Sequence, residues 1–523
     1  MNNPLFDQIK NKFAVGDFHG VEKICFQLYQ NDKKNFNVIK NLALACLLQN
    51  KYFESVHFYN EALLLDENDF DINCNLSFLF AQTEQFEKSL KFAHKAIQIN
   101  PISPIPLKQL GEVFLKLREF EKAKNYLSKA LELIEGAPNL NETFLNELNY
   151  RYMESLSALN ENEELKSLTS KNLKINLNPD ILSFYIKSFG SIDDMEIIKN
   201  AENELENILS VNSPKNFKRA AGYAFCLANF YLSKDNKLKA EKYFHDGNKL
   251  IHSSQNYRPL QTQSLIKKLI ESFDNLPTLN IDPNTGKEII FVVGMPRSGT
   301  TLLESIIANS PDVFSGGEMS SFKNLVQYDV TTISKGNADQ INEFVQKYIE
   351  KMRFLLKSKK MLIDKLPFNG FLIGFITKLL PSAKIIVIDR NPWDTATSIY
   401  EQYYVDKHYY SSTFFNIAMQ IANFNYIKNY WIENCDQKNI YQIKYEDLVT
   451  DSQKFSKEIY NHLELSHKLD PEKRKGFYSS TASYIQVKGD ITQKSLKKEI
   501  FSSEKQNFLE NLENQKSYWV NQT

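Results

Sequence analysis

Residues of the same kind recur every 34 positions through the first third of the chain. Tyr52, Phe86 and Phe120 form one series, and Ala62, Ala96 and Ala130 another. Leu42, Leu76 and Leu110 keep the same step, as do the small residues Ala43, Ser77 and Gly111. So do Phe58, Phe92 and Tyr126. A repeat of this length is one helix–turn–helix unit that cannot bury its apolar face alone, so successive units must stack. Small residues at 43, 77 and 111 let the first helix of each unit approach the second closely. The aromatic rings fill the gap to the next unit. The period predicts an all-α superhelix.

This period resembles that of the tetratricopeptide repeat. It is clearest over residues 37–136, with an earlier unit around Phe18 and a degenerate helical stretch across 140–274. Within that stretch, AFCLANFYL and LKAEKYFHDGNKLI predict a further helical pair, with Ala228 and Ala240 as its close-packing positions. The repeating residues are packing residues. What the resemblance adds is a concave surface suited to an extended peptide or another protein. The segment NLPTLNIDPNTGK (275–287) is rich in turn residues and predicts a linker. It divides the chain into a helical domain, 1–274, and a second domain, 288–523.

At 523 residues the chain is too long for one ordinary core. Its 63 basic and 63 acidic side chains cancel, which argues against a nucleic-acid binder or an anionic-membrane binder. Any phosphate recognition must come from a local pocket. The opening MNNPLFDQIKNKF lacks the apolar core of a signal peptide. No apolar stretch approaches the ~20 residues of a membrane span. The five cysteines include no C-x-x-C pair, and the histidines show no metal-ligand spacing. Buried free thiols, no metal and a cytoplasmic location are the resulting expectations.

The second domain opens on EIIFVVGMPRSGTTLLESIIANSPDVFSGGE, residues 288–318. Ile289 to Val293 is a continuous β-branched apolar run, as expected of a buried parallel strand. TLLESIIANS places Leu302, Leu303, Ile306 and Ile307 on one helical face. The loop between them, G-M-P-R-S-G-T-T, aims backbone N–H groups and a helix N-terminus at one point, a geometry that binds an oxyanion. The nucleotide-triphosphatase pattern is G-x-x-x-x-G-K-[ST]. Here Thr300 follows Gly299 in place of that lysine, and the cation lies upstream at Arg297. This disfavours a kinase or ATPase. About 90 residues later, KIIVID (384–389) predicts a second buried strand, followed by R-N-P-W-D-T-A-T-S. Arg390 then lies at the strand's carboxyl end, and Ser398 about two turns along a helix that Asn391 and Pro392 begin. Trp393 and Thr397 pack inward. Arginine suits a phosphate because its fork is always charged and matches phosphate geometry.

These segments resemble the bacterial tetratricopeptide-repeat sulfotransferases and, more distantly, the tyrosylprotein sulfotransferases. GGE (316–318), DKLPFN (364–369), YQIKYEDLV (441–449), read as a strand ending in a turn, and TASYIQV (481–487) extend the likeness. The resemblance implies a P-loop-type parallel sheet flanked by helices, and 3′-phosphoadenosine 5′-phosphosulfate (PAPS) as sulfuryl donor. Adenosine 3′,5′-bisphosphate would be the product. It implies that Arg297, Ser298, Gly299, Thr300 and Thr301 grip the 5′-phosphosulfate, and that Arg390 and Ser398 bind the 3′-phosphate. Glu318 is then the general base. Arg297 and Lys365 stabilise the transferring group, and Tyr445 contacts the nucleotide. Lys488 and Ser495 match family positions near the phosphosulfate, but the stretch around them departs from the family's form. Glu499 stands where the family has an aromatic. Two readings follow. One is a sulfotransferase acting on a hydroxyl of a peptide tyrosine, a sugar or a small molecule, with the repeats holding acceptor or partner. The alternative is a catalytically impaired nucleotide-binding repeat scaffold.

Overall fold

The computed structural model describes residues 4–134, 141–211, 213–254, 257–323, 326, 338–404, 408–466, 474, 477 and 500–521. By packing, the chain forms two compact units, Met1–Leu159 and Asn160–Thr523.

The first unit consists of α1 (Pro4–Ala14), α2 (Phe18–Asn31), α3 (Phe36–Leu48), α4 (Tyr52–Leu63), α5 (Phe70–Gln82), α6 (Phe86–Ile99), α7 (Pro104–Lys116), α8 (Phe120–Ile134) and α9 (Glu142–Leu159). The even-numbered helices begin at 18, 52, 86 and 120, so the 34-residue step sets the helix starts. Two residues before each start, Gly16, Asn50, Glu84 and Arg118 take left-handed φ angles of 77°, 59°, 57° and 57°. The next amide bonds back five residues: Asp17 to Lys12, Lys51 to Cys46, Gln85 to Phe80 and Glu119 to Phe114. This pattern ends a helix by satisfying its last carbonyls. Asn35, Asp69 and Ser103 cap the odd-numbered helices that follow them, again 34 apart.

The small-residue series works as expected. Ser55 donates to the Ala43 carbonyl at 2.8 Å, and Ser89 to that of Ser77 at 2.8 Å. In the third unit a Cβ on Gly111 would stand 2.4 Å from Leu127 Cγ, so only glycine fits. The rings stack in step as well: Phe80 on Phe92 and Phe114 on Tyr126, both at 5.5 Å.

The second unit begins with helices α10 (Asn162–Ile175), α11 (Pro179–Phe189), α12 (Met195–Val211), α13 (Phe217–Ser233), α14 (Lys237–Ser254) and α15 (Pro259–Asp274). Ala228 and Ala240 are fully buried in the α13–α14 pair. Asp235 repeats the left-handed turn there, with φ 57°. The chain turns from all-helical to mixed structure across 275–287, where the sequence places a linker. The packing division lies earlier because α13 to α15 bury their faces on the sheet-bearing part. His245 Nδ1 lies 2.9 Å from the Tyr400 hydroxyl, and Asn248 donates to the Tyr400 carbonyl at 2.9 Å. Phe273 packs on Trp431 at 4.9 Å.

Five parallel strands follow: β1 (Ile289–Val293), β2 (Val313–Ser315), β3 (Met361–Asp364), β4 (Lys384–Asp389) and β5 (Ile440–Lys444). Their order is β2-β3-β1-β4-β5. All of β1 is buried, as a continuous apolar run in the centre of a parallel sheet should be. The helices between and after the strands are α16 (Thr300–Ile307), α17 (Ala338–Leu356), α18 (Ile373–Leu379), α19 (Pro392–Tyr400), α20 (Phe414–Asn434), α21 (Tyr445–Thr450), α22 (Ser452–His462) and α23 (Lys505–Val520). The connection from β1 leads to β2 on one side of the pair β1–β4, and that from β4 to β5 on the other. Such a reversal opens a crevice beyond the carboxyl ends of β1 and β4, the usual ligand position in open α/β sheets. The turn expected after YQIK is instead the short helix α21. Among the described residues, no helix is long and apolar enough to cross a membrane.

Candidate active site at the strand ends

The loop after β1 is shaped by two left-handed residues, Arg297 (φ 70°) and Gly299 (φ 105°). They turn the chain so that α16 starts at Thr300, and Gly299 before it has no side chain with which to cap the first amides. Gly299 has a second constraint: a Cβ there would lie 2.4 Å from Tyr445 Cδ2. Ser298, Thr300 and Thr301 are buried, and the Ser298 hydroxyl has no hydrogen-bond partner among the described residues. A buried orphan hydroxyl in an uncapped helix-start loop fits a polyoxygen anion.

Beside it, β4 pairs with β1 through Val293 opposite Val387, so Arg390 emerges just past that pair. Arg390 Nη1 donates to the Arg297 carbonyl at 3.0 Å. Its guanidinium lies 4.6 Å from the centre of the Tyr445 ring. Burial holds Arg390 below its ordinary value, while Tyr445 and Asp394 oppose that shift. Asn391 caps α19 by accepting from the Trp393 and Asp394 amides, and its own amide donates to Glu446 at 2.8 Å. Trp393 and Thr397 are buried on the helix's inner face. Ser398 accepts a hydrogen bond from Arg297 Nε at 3.0 Å. The structure therefore brings Arg297, Gly299, Arg390, Ser398 and Tyr445, drawn from three strand ends, into one connected cluster.

The β2–β3 edge supplies the remaining groups. Beyond Ser315 the pairing continues: Gly316 N–H donates to Ile363 O at 2.9 Å, and Lys365 N–H to Gly317 O at 2.8 Å. This holds Glu318 against Lys365, whose Nζ donates to Glu318 Oε1 at 3.0 Å. Lys365 is fully buried, while the Glu318 side chain is 43% exposed. Glu304 of α16, also fully buried, lies 3.7 Å from Lys365 Nζ and accepts from the Ser315 hydroxyl. The sequence reading missed Glu304. Its signal was a lone carboxylate in the otherwise apolar run LLESII.

Two more residues were missed. Burial pushes the Tyr404 phenol up to about 12; the Arg297 charge opposes this shift and the Glu318 charge adds to it. Burial pushes the Lys187 ammonium down, and repulsion from Arg297 adds to the effect. Lys187 lies on α11, so the helices before the sheet reach the field of Arg297. No spacing in the sequence announces that. A cavity of about 520 Å³ also adjoins Arg390, lined in part by Ser298, Thr395, Lys428 and Trp519, but not by Glu318 or Lys365. Lys488 and Ser495 lie outside the described residues.

Two segments of the chain match known families. Residues 290–469 match the sulfotransferase family, and residues 109–136 match the tetratricopeptide repeat. An uncharacterized protein of Aquifex aeolicus is 27% identical over 366 residues, covering 66% of this chain and 47% of that protein. A putative protein-tyrosine sulfotransferase of Caenorhabditis briggsae is 30% identical over 115 residues, 20% of this chain and 40% of that protein. The chain thus spans less than half the length of either relative. A sulfotransferase domain from the curacin biosynthetic pathway superposes with a TM-score of 0.27 at 20% identity, covering 40% of this chain and 80% of its own. The chain thus carries a segment that matches the tetratricopeptide repeat and, after it, a region that matches the sulfotransferase family.

Proposed function

We propose that the 288–523 domain transfers a sulfuryl group from PAPS to a hydroxyl acceptor. One observation carries this reading: Arg297 and Gly299 from one strand end, Arg390 and Ser398 from another, and Tyr445 from a third share a single contact cluster. A nucleotide bearing phosphate at both 3′ and 5′ positions needs two cation-bearing grips a short distance apart, and this cluster has them. Bound PAPS would supply the sulfuryl group, whose bond to the 5′-phosphate oxygen breaks as its bond to the acceptor oxygen forms.

The chain's own residues then have distinct tasks. Ser298, Thr300, Thr301 and the amides at the start of α16 hold the 5′ end, with Arg297 beside the breaking bond to take up charge on the departing phosphate oxygen. Arg390 and Ser398 hold the 3′ end, and the Tyr445 ring supports Arg390 from below. Glu318 accepts the acceptor's hydroxyl proton, for which its partial exposure gives access. Lys365 donates to the charge gathering on the SO₃ oxygens. The acceptor is a peptide tyrosine, a sugar or a small molecule, and the repeats hold that acceptor or a partner.

Labelled PAPS offered with a tyrosine peptide, a sugar and a small phenol tests the reading. Transfer to at least one is expected, and Glu318→Gln should slow it by roughly 10²–10⁴-fold, the scale for loss of a general base. Wild-type turnover by that variant removes Glu318 from the mechanism. No transfer from PAPS to any of the three speaks against the enzyme.

A further inference from the structure

Lys365 is held between two carboxylates, and one of them is surplus to what burying a lysine requires. Glu318 alone, 3.0 Å away, would neutralise the ammonium. Yet Glu304 is also fully buried, 3.7 Å from the same nitrogen and fixed by the Ser315 hydroxyl. Ser315 is the last residue of β2, and Glu304 lies on α16, the helix that follows the phosphate loop. Burying a second carboxylate beside a pair that is already neutral opposes folding, because each buried charge loses its hydration. With all three groups ionised, the trio carries one net negative charge.

We infer that Glu304 is a positioning residue for sulfuryl transfer: it keeps the Lys365 ammonium charged and in place while the charge on Glu318 disappears. The inference rests on the sulfotransferase reading. As Glu318 takes the acceptor's proton, its carboxylate becomes neutral and its hold on Lys365 weakens. Without Glu304, a buried ammonium would then have no counterion at the moment it is needed at the SO₃ oxygens. With Glu304 in place, arrival of the proton takes the trio from one negative charge to none. The buried site thus ends the step balanced, and Lys365 keeps a carboxylate beside it. Ser315 fixes the carboxylate's orientation, so strand β2 and helix α16 set the ammonium's position jointly.

The test is steady-state release of adenosine 3′,5′-bisphosphate from PAPS, with a tyrosine peptide, a sugar or a small phenol as acceptor. Wild type is compared with Glu304→Gln, Glu304→Asp and Ser315→Ala. Glu304→Gln keeps the shape and removes the charge. Its kcat should fall about 10–100-fold, the usual cost of losing a group that orients a reacting residue. The KM for PAPS should stay level or drop, because an anion leaves the neighbourhood of an anionic donor. Glu304→Asp restores the charge and should recover part of the loss. Ser315→Ala should cost only a few-fold in kcat. A merely structural Glu304 would instead raise the PAPS KM and weaken bisphosphate binding as kcat falls, and aspartate would not rescue it. That pattern, or an unchanged kcat in Glu304→Gln, overturns the inference. If Glu304→Gln does not fold, unchanged kcat in both Glu304→Asp and Ser315→Ala overturns it. A wild-type protein that neither binds nor consumes PAPS fails the sulfotransferase reading instead, so the two failures are separable.

Discussion

The two units carry charge in opposite ways. In the helical array, ion pairs such as Lys51–Glu22 and Lys40–Asp71 keep much of their side-chain surface in water. Exposed pairs of that kind contribute about 0–1 kcal/mol each. At the sheet's strand ends, Lys365 and Glu304 have no exposed surface, and Lys428 is nearly buried against Asp389. The array gets its specificity from shape: a left-handed turn, a cap and a small residue repeated every 34 positions. The sheet unit buries charged side chains around its strands but none within β1. Violations of the simplest burial rule commonly collect at functional sites, and here they fall at the proposed one.

The largest expected effect lies on the charged side of this contrast. Arg297→Ala should lose about 3–4 kcal/mol of transition-state stabilisation, several hundred-fold in PAPS turnover, because a preorganised donor beside developing charge is removed. Steady-state kinetics checks it, and retention of more than a tenth of the activity would make Arg297 a mere loop residue.

A matched pair of glycine changes sharpens the comparison further. Each adds a Cβ that would meet a neighbour at 2.4 Å, Gly299 at Tyr445 and Gly111 at Leu127. Gly299→Ala also forces alanine to φ 105°, so binding of adenosine 3′,5′-bisphosphate should weaken by about tenfold or more. Gly111→Ala should destabilise the array by about 1–3 kcal/mol through overpacking. Nucleotide affinity should hold within about twofold, since Gly111 contributes nothing to the strand-end cluster. Calorimetric titration and thermal unfolding of both variants read the outcome. A nucleotide defect from Gly111→Ala would erase the distinction between the regions.

The smallest effect concerns the thiols. Burial raises Cys25, Cys74 and Cys226 to about 12 and Cys46 to about 11. Cys435, at the end of α20, is only partly buried. Alkylation at neutral pH should therefore modify Cys435 first, with the other four reacting about tenfold or more slowly, as thiolate fraction and access dictate. Mass spectrometry of timed samples would show it.

What the sequence discloses follows the same division. The repeats are legible because each structural requirement is stated several times at a fixed step, so Ala43, Ser77 and Gly111 identify one another. The G-M-P-R-S-G-T-T loop and the R-N-P-W-D segment are legible as strand–turn–helix units because each is contiguous in the chain. Glu304 was not legible: its partners Ser315 and Lys365 come from other segments, and a glutamate on a short helix ordinarily faces water. Lys187 and Tyr404 were hidden for a related reason. Their nearness to Arg297 depends on how α11 and the chain after α19 fold over the sheet, and no local pattern records that. The division of units at Leu159 was likewise set by tertiary packing of α13 to α15 rather than by the turn-rich linker.

Calorimetric titration of the full chain with adenosine 3′,5′-bisphosphate, with ADP and magnesium as the control, tests the shared nucleotide site most directly. Binding of the bisphosphate and not of ADP is predicted, with the affinity reduced about tenfold or more by Arg390→Ala and by less in Ser398→Ala. Equal binding of ADP with magnesium, or bisphosphate binding indifferent to both substitutions, would contradict it.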